Sequence, residues 1–418
     1  MRIAFQTVGC RLNQAETAEM AEACRRAGWA VVDPAGPHDV CVVHGCAITA
    51  AAERDTLRLA RRARRAMPNA RVVVAGCAAE LDPAGVRRRT GADLVLGQAA
   101  KRALPAALAE LLPAATATVT TPDACAEPRP EQGRARPPLR VQDGCDFGCA
   151  YCIVPATRPR LWSRPVADCV AAVNALHAKG YREVVLTGAN LGLYAHGGSD
   201  LIALLRAILD DTSMPRIRLS SIEPTTVENR LIDVMTASPR LCRYLHLPLQ
   251  SGDDGVLRRM GRRYTAQAYR AAVLRAAEAL PGIGIGTDLV CGFPGETERA
   301  HEATYALIDA LPLSNLHVFP YSERPGTRAA TMADGVPTAE RRRRARRLIA
   351  LGKRKREAFA AACIGRNVSV LVERLHPDGA ATGWTSEYLP ARISGGSHQP
   401  NAIVTARPGE RSGTELQI

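Results

Sequence analysis

Leu139-Arg-Val-Gln-Asp-Gly-Cys145-Asp-Phe-Gly-Cys149-Ala-Tyr-Cys152 puts a strand candidate, Leu139–Gln142, just ahead of three closely spaced thiols. Cysteines separated by three and then two residues on a loop after a strand can wrap one face of a cubane iron–sulfur cluster. Three protein ligands leave one iron open, and an open position is what a catalytic metal centre keeps for its substrate. A zinc knuckle needs a fourth ligand close by, and neither His nor Cys occurs in the dozen residues after Cys152. The spacing predicts an iron–sulfur centre.

Further strand candidates follow at Glu183–Thr187, Arg216–Ser221, Tyr244–Leu249, Thr287–Cys291 and Leu316–Tyr321, separated by helical stretches such as Val166–Lys179 and Thr265–Leu280. Six βα units predict a partial (βα)6 barrel over residues 139–362, with ligands at the carboxyl ends of its strands. Upstream, the apolar runs Arg2–Val8, Val40–Val43, Arg71–Ala75 and Asp93–Leu96 alternate with the helical stretches Glu16–Ala27, Ala50–Met67 and Lys101–Leu112. That rhythm predicts a doubly wound parallel sheet over residues 1–112. Residues 113–138 hold six prolines and few large apolar side chains, and read as a linker. After a basic helix (338–362), residues 363–418 offer short strands at Val368–Glu373, Ala391–Ile393 and Ala402–Ala406 among turn residues, as in a small β-barrel. The fold class is α/β.

The 418 residues are enough for two or three domains, and 46% hydrophobic against 23% charged residues describes a globular chain. No apolar stretch reaches the ~18 residues of a membrane span, and the start does not read as a secretory signal. A cytoplasmic protein is expected. Lys and Arg outnumber Asp and Glu by 55 to 41, a net +14 that invites a polyanionic partner. Thirteen cysteines, an odd number, argue for metal or redox chemistry over a disulfide framework.

A second set of cysteines repeats one local pattern: Gly9-Cys10, Gly45-Cys46 and Gly76-Cys77, each directly after an apolar strand candidate. In a parallel sheet these ends converge on the crevice where doubly wound folds bind ligands. Glycine before each thiol lets the backbone turn and a bulky inorganic group approach. Three thiols there predict a second cluster. Cys24, Cys41, Cys125, Cys169, Cys242, Cys291 and Cys363 share no pattern and read as structural.

Cys145-x3-Cys149-x-aromatic-Cys152 after the first strand of a six-unit barrel resembles the radical S-adenosylmethionine superfamily. Two cysteine triads on two α/β domains, with a small β-barrel behind them, resemble the methylthiotransferases over essentially the whole chain. Supporting stretches are Thr7–Thr17, His246-Leu-Pro-Leu-Gln-Ser-Gly252, Asp288-Leu-Val-Cys-Gly-Phe-Pro-Gly-Glu-Thr297 and Phe319–Thr327. Gly9-Cys-Arg-Leu-Asn13 is most similar to the branch acting on N6-threonylcarbamoyladenosine 37 of tRNA. His44-Gly45 departs from the Asn and hydroxyl residue common in the family. The resemblance implies two [4Fe–4S] clusters, on Cys10, Cys46 and Cys77 and on Cys145, Cys149 and Cys152. It also implies S-adenosyl-L-methionine contacts at Gly188, Asn190, Glu223, Gln250, Asp288 and Gly292, and a TRAM-like C-terminal domain. Implied partners are the tRNA anticodon loop and an electron donor such as flavodoxin or ferredoxin. The rival readings are methylthiotransfer to a ribosomal-protein aspartate or to N6-isopentenyladenosine, and a non-catalytic iron–sulfur RNA-binding redox sensor. Arg341–Arg356, with ten basic residues of sixteen, suits phosphate neutralisation. Trp384 and Tyr388 are candidates for base stacking or for packing in the small core.

Overall fold

Val40-Cys-Val-Val and Arg71-Val-Val-Val are short β-branched runs that tolerate burial on both faces. In the computed structural model, which describes residues 1–112 and 135–418, they form the middle of a five-stranded parallel sheet. Its strands are β1 (Arg2–Thr7), β2 (Ala30–Val32), β3 (Val40–Gly45), β4 (Arg71–Gly76) and β5 (Leu94–Leu96), in the order β2-β1-β3-β4-β5. Val40 and Val42 face a cluster with Met20 and Leu104, whereas Cys41 and Val43 face one with Leu57 and Ala60. Helices cover both faces accordingly. They are α1 (Arg11–Arg26), α2 (Ala50–Ala66), α3 (Cys77–Leu81), α4 (Pro83–Thr90) and α5 (Leu104–Leu111), with α1 and α5 on the first face and α2 to α4 on the second. The doubly wound sheet is as expected. The sequence reading passes over β2, α3 and α4, which are too short to carry a period. Most of the expected linker, residues 113–134, lies outside the described residues, as does Cys125.

Packing divides the chain into two units. The first comprises the described residues of Met1–Glu127 with Gly144–Leu161 and Ser322–Ala330. It therefore holds the sheet, the whole Cys145–Cys152 loop and a short helix, α6 (Val154–Thr157). The second comprises the described residues of Pro128–Asp143 with Trp162–Tyr321 and Thr331–Ile418.

In the second unit β6 (Pro138–Arg140) leads into β7 (Gln142–Asp143), which pairs antiparallel with β8 (Trp162–Ser163). Next come β9 (Glu183–Thr187), the hairpin of β10 (Ala195–His196) and β11 (Ser199–Asp200), β12 (Arg216–Leu219), β13 (Tyr244–His246), β14 (Gly284–Cys291) and β15 (Asn315–Pro320). Two parallel sheets, β12-β9-β6 and β13-β14-β15, are linked by isolated parallel bridges at Ile217–Leu241 and Ser221–His246. All six expected strands are present, in chain order. Between them run α7 (Val166–Ala178), α8 (Leu201–Asp211), α9 (Asn229–Ala237), α10 (Asp254–Met260), α11 (Ala266–Ala279) and α12 (Glu298–Ala310). Asp200, Asp253, Thr265 and Thr297 start α8, α10, α11 and α12 by accepting an orphan amide of the first turn.

α13 (Thr338–Ala362) leads to a six-stranded sheet of β16 (Val368–Leu375), β17 (Ala381–Thr385), β18 (Pro390–Ile393), β19 (Ile403–Ala406), β20 (Glu410–Ser412) and β21 (Glu415–Gln417). Its order is β19-β16-β17-β18-β21-β20, around Val370, Val372, Ala381, Ala391 and Leu416. Among the described residues no ladder joins β19 to β20, so these ladders make an open sheet where a small barrel was expected. No described helix is long and apolar enough to cross a membrane.

Candidate functional site

The strand order of the first unit reverses between β1 and β3, and ligands of doubly wound sheets bind outside the carboxyl ends at such a point. Cys10 follows β1 and Cys46 follows β3; Cys77 follows the neighbouring β4. The parallel register sets Thr7 against His44 and Gly45 against Gly76, so the three turns leave the sheet at one end. Gly9 has φ +118°, and a Cβ there would lie 2.6 Å from Cys46 Cβ and 3.1 Å from its Sγ. Gly76, at φ +97°, would clash with His44 Cδ2 at 2.6 Å. Both glycines are required for the close packing of these turns.

Asn13 straps the first two turns. Its Nδ2 donates to the carbonyls of Val8 and Gly45 at 3.0 and 3.1 Å, while Oδ1 faces Cys10 Sγ at 3.8 Å. Gln98 Nε2 donates to Cys77 Sγ at 3.2 Å. Burial, with lesser contributions from Cys77 and Cys10, pushes the Cys46 thiol up to about 12. At neutral pH this thiol is protonated, and a metal would have to displace that proton to bind it.

Behind these thiols lies a buried charge network. Glu16 receives Arg158 Nη2 at 2.6 Å and Lys101 Nζ at 2.8 Å, all three with side chains at most 4% exposed. Arg158 Nη2 also donates to Asn13 Oδ1 at 3.1 Å. His44 is fully buried, with Nδ1 3.0 Å from the Asn13 carbonyl and Nε2 3.2 Å from Lys101 Nζ. Burial first, and then the Lys101 charge, lowers its pKa to about 3, so the ring is neutral. The departure at His44 is thereby accounted for as a hydrogen-bonded network residue. Nothing in the spacing pointed to Glu16, Lys101 or Arg158.

The other triad lies on the loop Gly144–Leu161. Cys145, Cys149 and Cys152 are all half-buried. Gly144, at φ +79°, leaves room for the returning chain: a Cβ would sit 2.3 Å from the Arg160 carbonyl oxygen. The Ala329 amide donates to the Ala150 carbonyl at 2.8 Å and Arg328 Nη2 to that of Gly148 at 2.7 Å, bracing the loop from Ser322–Ala330. The Val154 amide points at Cys152 Sγ at 3.4 Å, as expected for a site that stabilises sulfur charge.

The strand-end residues of the second unit are engaged in varied ways. A Cβ on Gly188 would meet Gln142 Oε1 at 2.6 Å, so this glycine makes room for Gln142, which accepts the Asn190 amide at 2.9 Å. Asn190 is buried with its Nδ2 unpartnered. Glu223 is ion-paired with Arg262, although burial outweighs that pairing and raises its pKa. Gln250 has φ +72° and exchanges backbone hydrogen bonds with Asp288 and Val290. Asp288 faces His246 and His317. Gly292, at φ +74°, abuts Arg341, whose Cγ would be 2.3 Å from a Cβ.

Part of the basic helix is neutralised by its neighbours. Arg344 is buried against Glu296 at 2.8 Å, Arg343 pairs with Glu298 and Glu340, and Arg347 with Glu302. Arg342 and Arg346 remain exposed. Trp384 and Tyr388 stack on each other at 4.8 Å, with Arg136 over both rings. They serve the packing of this unit.

Residues 139–308 match the Radical SAM superfamily, and residues 2–97 match the Uncharacterized protein family UPF0004. The chain is 33% identical over 398 residues to a threonylcarbamoyladenosine tRNA methylthiotransferase of Thermotoga maritima, covering 94% of this chain and 91% of that protein. Its counterpart in Bacillus subtilis is 31% identical over 425 residues, covering 97% and 93%. A tRNA-2-methylthio-N(6)-dimethylallyladenosine synthase of Cereibacter sphaeroides is 34% identical over 429 residues, covering 100% and 95%. Among solved structures, the radical S-adenosylmethionine methyltransferase TsrM of Kitasatospora setae, with cobalamin and a [4Fe-4S] cluster bound, shares the fold. Its TM-score is 0.57 at 16% identity, over 91% of this chain and 77% of that one.

Proposed function

We propose, from the premise that this chain belongs to the radical S-adenosylmethionine methylthiotransferase family, that it installs a methylthio group at C2 of N6-threonylcarbamoyladenosine 37 in tRNA. The enzyme is a transferase whose cofactors are S-adenosylmethionine and [4Fe–4S] clusters, of which the family carries a second. The observation that carries the reading is that two cysteine triads, one on a braced loop and one at a sheet's switch point, occur in a single packing unit. A redox sensor needs one cluster, whereas methylthiotransfer needs radical generation and a sulfur carrier. The Gly9-Cys-Arg-Leu-Asn13 form and the relatives from Thermotoga and Bacillus support the threonylcarbamoyladenosine branch.

In this reading Cys145, Cys149 and Cys152 hold the cluster that binds S-adenosylmethionine, and Cys10, Cys46 and Cys77 the auxiliary one. The cofactors supply a 5′-deoxyadenosyl radical, needed because no side-chain acid or base usefully ionises the C2–H bond. The protein's residues bind and orient. Asn190 offers its free Nδ2, Glu223 a carboxylate held by Arg262, and Gly188, Gln250, Asp288 and Gly292 complete the strand ends. Asn13 fixes the spacing of the first two auxiliary thiols. Residues 1–112, 139–362 and 363–418 correspond to the cluster domain, the radical core as a partial (βα)6 barrel and a TRAM-like domain that meets the anticodon loop. A flavodoxin- or ferredoxin-like donor supplies electrons, in the cytoplasm.

The test is mass spectrometry of tRNA nucleosides from cells with and without the gene. Loss of the 2-methylthio derivative, with its threonylcarbamoyl precursor retained, is the expected result. The Cereibacter relative favours the isopentenyl-type adenosine as a second reading; loss of that derivative alone would establish it instead.

A further inference from the structure

His246, Asp288 and His317 lie on the adjacent parallel strands β13, β14 and β15. Asp288 is the register partner of His317, and His246 pairs with Gly286, two residues before Asp288 and so on the same face. Three ligand atoms, His246 Nε2, Asp288 Oδ1 and His317 Nδ1, converge within 4.8 Å of one another. The carboxylate oxygen is 3.1 Å from the first imidazole and 3.2 Å from the second. Bonds of about 2.0–2.2 Å to a shared ion put neighbouring donors roughly 3.0–3.5 Å apart.

We propose that these side chains form a binding site for a first-row divalent cation, separate from the cysteine triads. A hydrogen-bonded His–Asp–His relay is the competing arrangement; its His317 half is in place, with Nδ1 in hydrogen-bond geometry 3.2 Å from Asp288 Oδ1, and only its His246 half is disfavoured. His246 Nε2 is buried and makes no hydrogen bond, although Asp288 Oδ1 is 3.1 Å away. Two atoms so close without an N–H bond between them leave the imidazole nitrogen available to a shared cation. His246 already has the outer-nitrogen acceptor that a ligating imidazole requires. Ser221 Oγ is 2.7 Å from His246 Nδ1 and can accept its proton. Asn315 Nδ2 is 3.0 Å from His317 Nε2, while its Oδ1 accepts from Arg356 Nη1 at 3.1 Å. Loading requires a half-turn of that amide, so that its oxygen accepts the Nε2 proton at the expense of its bond from Arg356. Two imidazoles and one carboxylate suit Mn²⁺, Fe²⁺ or Zn²⁺. The half-exposed His317 side chain leaves the remaining coordination positions open to water or an oxygen-bearing ligand.

The experiment uses anaerobically reconstituted full-length protein, freed of loose metal and titrated with Mn²⁺ alone. The six-line signal of free Mn²⁺ is followed by electron paramagnetic resonance, and nitrogen couplings to the bound ion by electron spin echo modulation. Wild type is expected to take up one Mn²⁺ more per chain than His317→Ala or Asp288→Asn, and to show imidazole nitrogen coupling. Ser221→Ala, which keeps all three ligands, should weaken that binding about tenfold. Iron measured in parallel reports whether each variant keeps its clusters. Equal Mn²⁺ uptake by wild type and His317→Ala at equal iron, or bound Mn²⁺ without nitrogen coupling, would overturn the proposal.

Discussion

Glu183→Gln removes the charge at the centre of a buried cluster without changing its shape. Glu183 has no exposed side-chain surface and lies 2.7 Å from Arg218 Nε and 2.8 Å from Arg216 Nη2, whose side chains are 2% and 5% exposed. Arg218 also donates to the carbonyls of Thr385 and Ser386 at 3.0 Å, joining the C-terminal sheet to β12. Burial alone would raise the Glu183 carboxyl; the two arginines reverse this and lower it from 4.5 to about 2. At about 1.36 kcal/mol per tenfold change in acidity, that depression is worth on the order of 3 kcal/mol. It agrees with the ~3–5 kcal/mol lost when one partner of a buried pair is removed. Because the folded-state pKa is depressed, the contribution is complete above the unfolded value near 4.5 and is lost as pH falls toward about 2. In urea denaturation followed by far-ultraviolet circular dichroism, wild type should exceed the variant by ~3–4 kcal/mol from pH 7 down to about 5. The gap should then narrow by up to ~1.4 kcal/mol per pH unit. A gap below ~0.5 kcal/mol at pH 7, or one that stays constant down to pH 3, would refute the reasoning.

Reconstituted wild type should bind about eight irons per chain, and Cys145→Ala/Cys149→Ala/Cys152→Ala about half that, by colorimetric iron assay. The Cys10→Ala/Cys46→Ala/Cys77→Ala variant should still cleave S-adenosylmethionine reductively while yielding no methylthio product by chromatography and mass spectrometry. Replacing the exposed Arg342 and Arg346 with Gln should flatten the salt dependence of tRNA binding in a filter assay, by about one unit of slope per lost phosphate contact. Arg344→Gln, which strands the buried Glu296, should instead cost about 3–5 kcal/mol in urea denaturation.

Both cysteine triads were readable from the sequence because a chelating loop and a strand-end Gly-Cys turn are local patterns. The parallel strands were readable because burial on both faces demands continuous apolar runs such as Val40–Val43 and Val184–Leu186. The short β2, α3, β20 and β21 carry too few residues for a period, and Gly383 interrupts the apolar pattern of β17. Charge pairing was beyond the sequence. Arg158 finds Glu16 across 142 residues, and Arg218 finds Glu183 across 35. The run Arg341–Arg344 looks like one uniform basic patch, yet α13 turns Arg344 inward onto Glu296 and leaves Arg342 in solvent. Nothing in the sequence shows that Gly188 is hemmed in by the Gln142 side chain. The sequence by itself determined the types of the longer elements and picked out the two cysteine triads as candidate donors, since backbone period and ligand spacing operate within a few residues. Only the tertiary structure decided which charges are neutralised, which glycines face a neighbour and that His246, Asp288 and His317 converge, because those outcomes depend on which strands the topology makes adjacent.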